Sequence, residues 1–167
     1  MKDRVLIIGE VNEFLTSLCK YLNLNGYEVF LAINKNQEIS NYQRLERMLT
    51  IIRFNDSLEE IKFIISSIEP IYIYNLYGME YKKDVKYLVE KNYLNVVLLL
   101  ETIKEYKDIN LINIIEERES NINGDSVDIY STILDSVNKV IKYYKDVYGI
   151  ETLIKSKYEY NEIIKNK

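Results

Sequence analysis

Continuous apolar runs alternate with stretches of helical period along most of this chain. The run at 5–8, VLII, is apolar at every position, as a strand is when a parallel sheet is covered on both faces. Gly9 follows as a turn. Phe14, Leu15, Leu18, Cys19 and Leu22 then keep three- and four-residue spacing, which predicts a helix over 12–25 with Gly26 as its stop. Further strands are predicted at 27–32, 49–54, 71–76, 110–115 and 151–154. Asp56 or Ser57 caps a helix that buries Leu58, Ile61, Ile64, Ile65 and Ile68, and Pro70 ends it. A long helix over 82–106 carries Val85, Leu88 and Val89, and is apolar all round at 96–100, so more than one of its faces must be covered. A last helix over 129–148 turns Ile133, Val137, Val140, Ile141, Tyr144 and Val147 inward, and Gly149 stops it. The stretches 34–47 and 116–124 are polar.

Strands alternating with helices in this order predict an α/β fold. Right-handed crossovers make it a doubly wound parallel sheet of about six strands, a Rossmann-like three-layer αβα sandwich. One domain is expected over 1–156, with a charged tail over 157–167.

Composition narrows the chemistry. The 167 residues include no histidine and a single cysteine, so histidine acid–base catalysis, an internal disulfide and a Cys/His zinc site are all excluded. Cys19 reads as a small core residue in a reducing compartment. A net charge of −4 argues against nucleic acid, which needs a basic surface. The N-terminus lacks the pattern of a signal peptide, and no apolar run has the length of a membrane span, so a cytoplasmic location is expected. The 16 tyrosines accompany many Ile, Asn and Lys residues, as an AT-rich coding sequence would produce.

Four stretches then point to a family. RVLIIGEVNEFLTSLCKYLNLNGYEVF, EPIYIYNLYG, NYLNVVLLLETIKEY and IYSTILDSVNKVIKYYKDVYGIETLI stand in this order over 4–154. Together they resemble the extended short-chain dehydrogenase/reductase family, the NAD-dependent nucleotide-sugar epimerases and dehydratases, with GDP-mannose dehydratase-like members nearest. The resemblance implies a dinucleotide turn at Gly9, Asn12 and Leu15, where the family has three glycines. It places Asn75 and Gly78 beside the cofactor, with Tyr77 intruding where the family has a small residue. It puts Arg53 at the adenine-side acid, with Asp56 nearby, and Asn34 and Lys35 where a ribose-binding acid belongs. The family's catalytic tyrosine falls on Tyr130 and its helix asparagine on Asn92. The lysine that lowers the tyrosine pKa falls on Leu134, and the Ser/Thr falls on Glu116 or Glu117.

A tyrosine without a nearby cation keeps a pKa near ~10, too high for base work at neutral pH. Lys139 is nine positions on and faces away from Tyr130. Tyr130 and Asn92 are therefore read as relics, and no cofactor is expected, NAD(P) being the one to look for. The chain also ends before the strands and helices that hold the family's sugar nucleotide.

The resulting expectation is a non-catalytic, degenerate homologue that acts by association. The interface is expected on Val85, Val89, Val96, Leu100, Ile133, Val137 and Ile141, as a four-helix homodimer or a pairing with a family enzyme. The alternatives are a minimal NAD(P)-dependent epimerase/dehydratase-like oxidoreductase and a nucleotide or nucleotide-sugar sensor. Glu116, Glu117 and Glu119 are read as a solvated loop, not a metal cluster. Lys82, Lys83 and Lys86 are read as a solvated face, and Asp125 and Asp128 as turn and capping residues. The first βα unit also resembles response-regulator receiver domains, but Gly9-Glu10 replaces their acidic pair.

Overall fold

The computed structural model describes residues 2–38, 45, 47–77, 84–106, 108–115, 129–157 and 159–160. Six parallel strands form one sheet: β1 (Arg4–Ile8), β2 (Glu28–Asn34), β3 (Thr50–Phe54), β4 (Tyr72–Asn75), β5 (Asn110–Ile115) and β6 (Thr152–Ser156). Their order is β3-β2-β1-β4-β5-β6. The order reverses between β1 and β4, and there an open α/β sheet leaves a crevice beyond the strand carboxyl ends. Receiver domains have the order 2-1-3-4-5, so the topology excludes that alternative.

Helix α1 (Glu13–Leu24) covers one face of the sheet, and α2 (Leu58–Ile68), α3 (85–103) and α4 (Ile129–Tyr148) cover the other. The strand period of two distributes β1 between the layers. Val5 and Ile7 pack with Phe14, Leu15, Leu18 and Cys19 of α1, while Leu6 and Ile8 pack with Ile65, Leu99 and Val137. This double coverage is why the run is apolar throughout. Burial pushes the Cys19 thiol up to about 12, as suits an inert core residue.

Local chemistry sets the helix ends. Asn12 caps α1, its Oδ1 accepting from Leu15 N at 2.9 Å, and Gly26 follows at φ +91°. Ser57 caps α2 through its Oγ, which accepts from Glu60 N at 3.3 Å. Glu69 closes α2 in the left-handed region at φ 50°, directly before Pro70.

Helix α3 has three parts: Val85–Leu88, a π-helical segment Val89–Leu94, and Asn95–Ile103. Eight positions separate Leu88 from Val96, which on a regular α-helix sets them about 80° apart. The π segment takes up one extra residue and returns both to the buried face.

The expected interface set needs correction. Val96, Leu100, Ile133, Val137 and Ile141 are buried within the chain, in the core beneath α3 and α4. Val89 packs partly against that core, and Val85 alone of the set is exposed. Of the apolar-all-round run, Val96, Leu99 and Leu100 are buried and Leu98 packs partly against the core, while Val97 is half-buried. Val147, expected inward, is also exposed. Beyond β6 the chain does not begin as a free tail. Ser156 and Glu159 cap each other, Glu159 N to Ser156 Oγ at 3.2 Å and Ser156 N to Glu159 Oε2 at 3.3 Å. Tyr160 then meets Tyr74 edge to face at 5.9 Å.

Candidate functional site

The crevice at the carboxyl ends of β1 and β4 is where this fold places ligands. Its floor begins at Gly9. A Cβ built there would lie 2.7 Å from Leu76 Cβ, so the turn after β1 and the end of β4 touch backbone to side chain. This close approach requires glycine whether or not a ligand binds. At the next two positions of the turn, the side chains serve the chain itself. Asn12 takes an amide at the head of α1 with its own oxygen. Leu15, in the first turn of α1, is fully buried in the core, so it fills core and not crevice.

Tyr77 lies two residues beyond β4, and Asp56 two residues beyond β3. The Tyr77 hydroxyl donates to Asp56 Oδ1 at 2.8 Å. Because β1 and β2 separate β4 from β3, this bond crosses the carboxyl ends of both inner strands. Asp56 Oδ2 accepts from Asn34 Nδ2 at 3.0 Å and from Lys91 Nζ at 2.6 Å. The ammonium also stands 4.3 Å from the centre of the Tyr77 ring, within cation–π range. Tyr77 is only 4% exposed. Burial and then the Asp56 carboxylate push its hydroxyl well above the ordinary tyrosine value, so it stays a proton donor. Nearby, the Tyr87 hydroxyl donates to Glu10 Oε1 at 2.8 Å, linking the first turn of α3 to the turn after β1.

The other expected site residues are accounted for by structural partners. Asn75 is fully buried, and its Nδ2 donates to Asn113 Oδ1 at 2.6 Å across the β4–β5 register. Its Oδ1 accepts from Tyr77 N at 3.3 Å. Arg53 donates to the carbonyls of Lys35 and Gln37 in the turn after β2. Asp56, not Arg53, is the charged group after β3 that reaches the crevice. Tyr130 is buried on α4, one turn before Leu134, while Lys139 is exposed on the same helix. Asn92 is buried in the π segment, which packs on α4. Its Nδ2 and that of Asn95 are buried without hydrogen-bond partners. Lys86 is exposed and pairs with Glu90. Gly78, Lys82, Lys83, Glu116, Glu117, Glu119, Asp125 and Asp128 lie outside the described residues. Among the described residues no group of three His, Cys, Asp or Glu could hold a metal, and no helix is long and apolar enough to cross a membrane.

Sequence reasoning named Tyr77 as an intruder but missed Lys91, and it left Asp56 without a partner. One signal was present for Lys91. It precedes Asn92 in a stretch where regular helical spacing fails to align Leu88 with Val96, which marks an irregular turn.

No protein-family model and no curated protein matches the chain. Solved structures do. The NAD-bound UDP-glucose 4-epimerase of Brucella ovis is similar over 92% of this chain and 51% of its own, with TM-score 0.75 and 14% identity. The NAD-bound dTDP-glucose 4,6-dehydratase of Bacillus anthracis is similar over 92% and 54%, with TM-score 0.70 and 14% identity. The L-threonine dehydrogenase of Clostridium difficile is similar over 92% and 52%, with TM-score 0.73 and 14% identity. The chain thus has the Rossmann-like fold of these epimerase, dehydratase and dehydrogenase structures, the one implied by the extended short-chain dehydrogenase/reductase resemblance, and spans about half their length.

Proposed function

We propose that this chain is a non-catalytic Rossmann-type protein that works by association. One observation carries the reading: the crevice that receives ligands in this fold is spanned by Tyr77 hydrogen-bonded to Asp56. The residues present do not fit a dinucleotide. Asp56 already accepts from Asn34, Tyr77 and Lys91, Asn75 is committed to Asn113, and Asn12 caps α1 itself. Titration with NAD⁺, NADH, NADP⁺ and NADPH by calorimetry is expected to give no binding heat up to about 1 mM. Micromolar binding would overturn the reading. Activity abolished by Tyr130→Phe would then favour the oxidoreductase.

The surface we assign to association is the outer side of α3 and α4, and the partner is a second copy. Leu94 and Val97 on α3, and Tyr143 and Val147 on α4, repeat at three- and four-residue intervals. Leu94, Tyr143 and Val147 are about half exposed. Two such seams side by side suit an isologous four-helix contact. Sedimentation at micromolar concentration is expected to give twice the chain mass of 19.9 kDa. The double variant Tyr143→Glu, Val147→Glu should sediment as one chain. A wild-type monomer refutes the assignment.

A further inference from the structure

Tyr77 closes the crevice with a side chain, and its surroundings are those of a bound aromatic ligand. The ring is buried, its hydroxyl donates to a carboxylate oxygen at 2.8 Å, and an ammonium stands 4.3 Å from its centre. The carboxylate and the ammonium are themselves paired at 2.6 Å, and both are only about a fifth exposed. The groups come from four places: Tyr77 after β4, Asp56 after β3, Asn34 at the end of β2 and Lys91 in the π segment of α3. Asn34 and Lys91 each donate to Asp56 without needing Tyr77. Removing the ring therefore leaves a preformed set: a carboxylate acceptor held by two donors, with a cation beside the vacated space.

We infer that Tyr77 is a built-in plug, and that the space its ring fills, bounded by Asp56 and Lys91, is a latent site for a planar aromatic group bearing one hydrogen-bond donor. This rests on the closed-crevice reading above and says what does the closing: one ring, not the loss of glycines at Asn12 and Leu15. Wild type excludes such a ligand because its own side chain is tethered there at high effective concentration.

The test uses p-cresol, which has the ring, methyl and hydroxyl of the missing side chain. Tyr77→Ala is expected to melt below wild type. p-Cresol should raise its Tm in a saturable way, by about 4 °C at ten times Kd, and leave wild type unmoved. Lys91→Met in the Tyr77→Ala background should weaken that rescue, since it removes the cation beside the ring and a partner of Asp56. Equal effects on wild type and variant, or none on either, overturn the inference. If Tyr77→Ala does not fold alone, p-cresol present during refolding must restore it; failure to do so counts against the plug. The two readings fail separately. Dinucleotide binding to wild type defeats the closed crevice, whereas absence of both dinucleotide binding and p-cresol rescue defeats only the plug.

Discussion

At the scale of single residues, this chain keeps Gly9 for a reason visible in its own packing. An added methyl group would overlap Leu76 Cβ, and both atoms are fixed by the strands that end there. Gly9→Ala is therefore expected to destabilise by about 1–3 kcal/mol, as overpacking does, read from the midpoint of urea unfolding. An unchanged midpoint would mean that β4 shifts to make room. Tyr77 shows how much of the site could be read in advance. Its bulk, where the resembled family has a small residue, is plain in the sequence. Its partner is not, because Asp56 is 21 positions away and the two meet only when β3 and β4 flank β2 and β1. Lys91 was legible only so far as the failed spacing of Leu88 and Val96 marks an irregular turn. An unbroken helix gives no cause to aim it at the crevice, and only the π segment fixes the turn on which it sits.

At the scale of elements, capping chemistry explains most of the boundaries. Asn12, Ser57 and Asp84 each accept an amide at a helix head, and Gly26 and Gly149 leave α1 and α4 at positive φ. Helix α2 ends differently. Glu69 occupies the left-handed region that glycine adopts freely, at φ 50°. Relief of that strain favours glycine in the native state, while the greater freedom of glycine in the unfolded chain opposes it. The strain term is the larger, so Glu69→Gly is expected to stabilise by about 0.5 kcal/mol. A lower urea midpoint for the variant would show that the Glu69 side chain contributes more than its backbone costs.

At the scale of the whole molecule, stability should be flat near neutral pH and fall at both ends. With no histidine, no side chain of ordinary pKa changes charge between about pH 6 and 8; Cys19, lifted by burial from 9.0 to about 12, adds stability that is lost as rising pH ionises the thiol of the unfolded chain. Hydrogen bonds from Lys104 and then Tyr144 hold Glu101 below its usual 4.5, and those from Asn55 hold Glu60 below it. Groups lowered in the folded state stabilise it above the unfolded value, and that contribution is lost as pH falls through the folded one. Burial raises the Tyr74 and Tyr77 hydroxyls above their ordinary 10.0. Their contribution is complete below pH 10 and is lost as rising pH ionises the unfolded chain. Thermal melts from pH 3 to 11 should trace this plateau, and a transition within it would contradict the assignment. The same scale corrects the association surface. Helical spacing alone marks Val96, Leu100, Ile133, Val137 and Ile141 as apolar, but it cannot say whether sheet or partner covers them. The sheet and the neighbouring helices do.

The sequence by itself determined the parallel sheet, the layer arrangement and most helix ends. Those follow from apolar period, glycine and capping residues, all local properties that neighbours in the chain decide. It also determined that histidine chemistry is absent. Only the tertiary structure decided what fills the crevice. Asn34, Asp56, Tyr77 and Lys91 come from four separate elements, and a hydrogen bond has a range of about 3 Å. Whether such groups meet depends on strand order, and on the π segment that realigns α3.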